Sequence, residues 1–165
     1  MKTSTQKHPD AAPVRILKIC SCPSLSGDST LIYQVGCKDK AIQLRVYANN
    51  GGGFFTNDWV PLTAIQQALD KNPGQRNITS IVLFPLFKGK SANTPAFLFA
   101  ALKHAGLVQP STEKPRSYER VDAKGFISEV KTLIASSVDL NETDKPQKSE
   151  GKTAIKKIPT KSSKK

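Results

Sequence analysis

Ala41-Ile42-Gln43-Leu44-Arg45-Val46-Tyr47-Ala48 alternates apolar and polar side chains along its whole length. Period two is what a half-buried strand imposes, so Ile42, Leu44 and Val46 face a core and Gln43, Arg45 and Tyr47 face away. Just upstream, residues 30–37 place Leu31, Tyr33, Val35 and Cys37 on one face, and Lys38-Asp39-Lys40 is a short turn between the two runs. Residues 14–22 read as a first strand, closed by the turn formers Pro23-Ser24-Leu25-Ser26-Gly27-Asp28. Three strands joined by short turns predict an antiparallel meander.

Downstream, Asn49-Asn50-Gly51-Gly52-Gly53 interrupts the pattern with residues that tolerate positive φ, and Phe54-Phe55 reads as a short fourth strand. Thr56, Asn57 and Asp58 offer caps for a helix, Pro61 suits its first turn, and Trp59, Leu62, Ile65 and Leu69 supply its apolar stripe. Ile81-Val82-Leu83-Phe84 is short, apolar and partly β-branched, so residues 78–87 read as a buried strand with Pro85 near its end. Thr94-Pro95 then opens a nearly all-apolar helix that Gly106 closes. Residues 117–121 form a short strand. Asp122 caps a last helix carrying Phe126, Ile127, Val130, Leu133 and Ile134 at amphipathic spacing. The fold class is α+β: an antiparallel meander sheet of about four to five strands with three helices, over residues 13–140.

The flanks have no core pattern. Residues 1–12 are expected to be a disordered leader and 141–165 a disordered Lys-rich tail, because neither buries enough apolar surface to offset ordering. Over the 165 residues, 25 Lys and Arg stand against 13 Asp and Glu, a net charge of +12. No stretch approaches the roughly 18 apolar residues of a membrane span, so no membrane association is expected. The first residues have no apolar run of the signal-peptide type. With an odd number of cysteines, this predicts reduced thiols and a cytoplasmic location.

Chemistry-bearing patterns are sparse. Cys20 and Cys22 share one strand face, with Cys37 on the next strand and His104 elsewhere. Structural zinc presents two spaced pairs of ligands. One tight pair is better read as buried thiols behaving as small hydrophobes. No nucleophile elbow, metalloprotease helix or phosphate loop is present, and no two acids pair at a common site. Neither an enzyme nor a cofactor is expected.

A basic strand face with an aromatic is how several folds hold single-stranded nucleic acid. Gln43, Arg45 and Tyr47 make that face, with Lys18 joining from the first strand. Lys88, Lys90, Lys114, Arg116 and Arg120 add basic loops, and Lys156, Lys157, Lys161, Lys164 and Lys165 a basic arm. The order of four strands and a helix over about 14–71, with Gly53-Phe54-Phe55-Thr56 leading into Trp59, resembles by pattern the single-stranded-DNA-binding coactivator and Whirly fold. That resemblance implies a curved sheet binding single strands. The expected function is non-enzymatic, largely sequence-independent binding of DNA or RNA, preferentially single-stranded. The alternative is a protein-interaction adaptor that docks a partner through Phe54, Phe55 and Trp59, its tail a solubilising or tethering arm.

Overall fold

The computed structural model describes residues 14–71, 77–141 and 143–146. β1 (Arg15–Pro23), β2 (Thr30–Lys38), β3 (Ala41–Asn49) and β4 (Val60–Pro61) form an antiparallel sheet in sequence order. Asp39 and Lys40 both take positive φ, 51° and 71°, at the two-residue β2–β3 turn. Two left-handed residues match the twist of the strands they join. α1 (Leu62–Asp70) follows β4 directly, with Pro61 rather than Thr56, Asn57 or Asp58 at its N-cap.

A 3-10 helix (Ser80–Phe87), α2 (Thr94–Ala105), a small hairpin of β5 (Val108–Pro110) and β6 (Tyr118–Arg120), and α3 (Lys124–Ala135) complete the described chain. Gly106 ends α2 at φ 85°, where glycine alone carries no Cβ penalty. Arg15 reaches the end of α3, donating to the carbonyls of Ile134 at 2.8 Å and Val138 at 2.9 Å. The Leu140 amide then donates to the Ile16 carbonyl, so the chain after α3 returns along the β1 edge.

Two expected strands are not strands. Gly52 and Gly53 both take positive φ, which swings Phe54 and Phe55 off the sheet. The Phe54 carbonyl instead accepts from Ser91 Oγ and Asn93 Nδ2, and the Thr56 amide donates to Thr94 Oγ1. The place beside β3 is filled by Val60 and Pro61. The apolar run at 80–87 is a 3-10 helix, with the Ile81 amide donating to Thr79 Oγ1 and Pro85 in its interior. Pairing there is limited to one bridge, between Ile78 and Tyr118.

All the apolar helix residues that are buried gather on one side of the sheet. Leu98, Phe99, Leu102, Ile65, Leu69, Leu83, Phe126 and Val130 form one cluster with Leu17, Cys20, Tyr33, Val35, Leu44 and Val46. The opposite face carries Ile19, Gln34 and Arg45 in one cross-strand rung. No helix among the described residues is long and apolar enough to cross a membrane.

Candidate nucleic-acid interface

Arg45 is the centre of the face turned away from the helices. Its Nε donates to Gln34 Oε1 at 2.8 Å, across the β2–β3 rung. Gln34 is fully buried, so this bond satisfies an amide oxygen that water does not reach. The guanidinium carbon lies 4.4 Å from the Trp59 ring and 5.2 Å from the Tyr47 ring. A cation over the face of an aromatic ring is the arrangement that quadrupole attraction favours. Trp59 comes from the segment before β4, and its ring edge lies over Gly36.

Gly36 is what lets Trp59 come that close. A Cβ there would stand 2.6 Å from Val14 Cγ1, 2.8 Å from the Arg15 carbonyl oxygen and 3.0 Å from the Trp59 ring. Because one of these neighbours is a backbone oxygen that cannot yield cheaply, Gly36→Ala is expected to cost about 1–3 kcal/mol or more, as overpacking does, and to shift Trp59 emission. Unchanged emission and unchanged stability would show that the ring does not rest on Gly36.

Two bulges shape this face. Between Ile16 and Lys18 the β1–β2 register shifts, leaving Leu17 as the extra residue. Lys18, beyond the bulge in the register of Cys20 and Cys22, pairs with Val35, a core-side residue, and its Nζ binds Glu129 of α3 at 2.6 Å. The expectation that Lys18 joins Arg45 is corrected: counting in twos from Cys20 and Cys22 puts Lys18 on the core side with them. The second bulge leaves Tyr47 as the extra residue in β3, beside Arg45.

The basic loops divide. Lys88 is exposed, and Lys90 is paired with Asp58, one residue from Trp59, so this loop adjoins the aromatic layer. The hydrogen bond from Lys90 is also the main cause that holds the Asp58 carboxyl below its ordinary range. Arg120 is paired with Asp70 at the end of α1. Lys114 and Arg116 are exposed in the β5–β6 loop, Arg116 at a positive φ of 64°. The structure thus joins Arg45 and Tyr47 directly, and adds Trp59 and Gln34, which the sequence reading had not placed there. Gln43 is half-buried beside Pro61 of β4. Lys156, Lys157, Lys161, Lys164 and Lys165 lie outside the described residues, as does the leader.

On the helix side, Tyr33 and Cys20 face each other across β1 and β2, and the Tyr33 hydroxyl lies 2.9 Å from His104 Nδ1. His104 and Lys103 occupy the last turn of α2, where the helix dipole favours positive charge. All three cysteines are buried thiols outside any disulfide. Burial, helped by Cys20 and opposed by Lys103, pushes the Cys22 thiol up to about 12. Burial, reinforced by Cys20, likewise raises Tyr33 far above the ordinary phenol range. A thiol so raised holds its proton at neutral pH. Among the described residues, no three His, Cys, Asp or Glu side chains gather as metal ligands would.

The buried Cys22 thiol and Tyr33 phenol make stability depend on pH. Both groups keep their protons more tightly folded than unfolded, so their contribution is complete below the ordinary pKa and is lost as pH rises. For Cys22 that window runs from 9.0 to about 12. The melting temperature is expected to hold from neutral pH to about 9 and then to fall toward 12. A midpoint that stays level through this window would contradict the buried thiol–phenol cluster.

The chain matches no known protein family, no curated protein and no solved structure.

Proposed function

We propose that the protein binds single-stranded nucleic acid without catalysing a reaction, through the sheet face that carries Gln43, Arg45, Tyr47 and Trp59. The observation that carries this reading is the Arg45 guanidinium lying over both the Tyr47 and the Trp59 rings. Aromatic faces take bases by stacking, and a guanidinium stacks or pairs with phosphate in the same plane. Lys88 and Lys90 extend the positive charge from the adjoining loop, and the net charge of +12 favours a polyanion at long range.

The chain has one tryptophan, and it is Trp59. Its fluorescence therefore reads this face and no other. Titration with an oligothymidylate of about 20 nucleotides at about 50 mM salt is expected to quench that emission, with an affinity in the micromolar range typical of non-specific binding. Oligonucleotides of other sequence should behave alike, and rising salt should weaken all of them. Binding that leaves Trp59 untouched would move the site elsewhere. No binding at all at about 50 mM salt would end the nucleic-acid reading.

A further inference from the structure

The described surface exposes three large apolar side chains: Phe54 at 88%, Ile81 at 68% and Phe84 at 47%. Ile81 and Phe84 are three residues apart on the 3-10 helix, whose turn is three residues, so they stand on one ridge. The segment Ser80–Phe87 contains no charged residue, yet it buries only Leu83 and Phe87. Phe84 also borders a cleft of about 440 Å³ shared with Pro85, Phe87, Lys88, Lys90 and Pro95. Phe54 is fixed near the same loop, through the bonds that Ser91 and Asn93 donate to its carbonyl. An apolar ridge that the fold leaves in water marks an interaction surface.

We propose that this ridge and cleft dock an acidic segment of a partner protein, its aromatic or aliphatic side chains seated in the cleft and its carboxylates meeting Lys88 and Lys90. Charge selects that occupant. Among the described residues Lys88 has no ion-pair partner, and the Lys90–Asp58 pair is half-exposed on both sides. A second copy of the chain would bring another +12 to the same surface. The chain's own last residues, 147–165, hold seven lysines and one glutamate and meet the same repulsion. A nucleic acid would use the lysines and the exposed rings of Phe54 and Phe84 but gain little from Ile81, Pro85 and Pro95, which offer no ring to stack on and no donor. An acidic peptide with apolar anchors uses both halves of the surface.

Selection of displayed random dodecapeptides on the full chain tests this, each winner's affinity then being measured on the parent and on the Ile81→Ser/Phe84→Ser double variant, which is kept out of the selection. Both positions are exposed, and an unchanged melting temperature confirms that the variant is folded. The expected winners are acidic peptides with aromatic or aliphatic anchors. Their measured affinity should fall by about tenfold or more on the variant, as loss of an apolar anchor does. It should fall also with Lys88→Glu and with added salt. Oligothymidylate binding should be unchanged by the double substitution, which keeps this proposal separate from the sheet-face reading. Winners that bind parent and variant alike, or that carry no acids, overturn the proposal, as does the absence of any winner. Oligothymidylate binding lost in the double variant would assign the ridge to nucleic acid. Concentration-dependent dimerisation lost in the variant would assign it to a second copy.

Discussion

Leu102→Ala is expected to destabilise the protein by about 2–5 kcal/mol, the range for truncating a fully buried leucine. Leu102 has no exposed surface, and it lies on α2 within the cluster that joins the helices to the sheet. Its carbonyl also accepts from the Gly106 and Leu107 amides, which close the helix. The side chain is thus surrounded from several elements, and a cavity there has few ways to collapse. Urea unfolding should show the midpoint falling at constant slope. Lys103→Ala, one residue on and exposed, should change stability by no more than about 0.5 kcal/mol. A cost below about 1 kcal/mol for Leu102 would mean that α2 is not the core of this domain.

Much of this architecture follows from pattern because pattern and packing agree there. The alternation of Ile42, Leu44 and Val46 against Gln43 and Arg45 survives intact in β3, where cross-strand partners on both flanks hold the register. The proline and glycine that bound α2 act locally, so Thr94–Ala105 is readable from sequence at both ends. The α3 stripe, with Phe126 and Val130 buried, is likewise set by helical spacing. The failures share a different cause. Ser80–Phe87 is apolar on all sides, and an apolar run carries no period to separate strand from helix. Phe54 and Phe55 have strand-forming side chains, but the two positive-φ glycines before them decide where the backbone goes.

The candidate site was half visible for the same reason. Arg45 and Tyr47 share a strand face, which spacing shows. Lys18 has the parity of Cys20 and Cys22, and its pairing with Val35 keeps it with them on the core side, so the alternation itself argues against placing it beside Arg45. Trp59 looked like the first residue of a helical stripe, whereas helix α1 begins only at Leu62. That frees its ring to cross the sheet, and the signal that points there is Gly36, a strand glycine with close neighbours on its open side. Of the three aromatics read as a partner surface, Phe55 packs edge-on against Phe97 and Trp59 covers Arg45, so Phe54 alone stands out in solvent. Ile81 and Phe84, placed in a buried strand by the sequence reading, are exposed instead.

Tyr47→Ala and Arg45→Lys together decide whether the sheet face binds by stacking or by charge alone. Tyr47→Ala removes a ring and no charge. If a base stacks on it, affinity for oligothymidylate should fall by about 1–3 kcal/mol, or roughly 5- to 150-fold. The slope of log affinity against log salt should not move, because that slope counts phosphates neutralised, at about 0.7 for each contact on a single strand. Arg45→Lys keeps the charge and removes the planar fork, so the Nε bond to Gln34 is lost along with the overlap on Tyr47 and Trp59. It too should weaken binding at constant slope, and it should change Trp59 emission in the free protein, which Tyr47→Ala should do less. A polycation would respond in the opposite manner. It would ignore both substitutions and lose slope only when lysines are removed, as in deletion of residues 147–165 with their seven lysines. If the two point variants bind as the parent does, Arg45, Tyr47 and Trp59 are a structural layer that seals Gln34 and Gly36, and the sheet face is not where a base stacks.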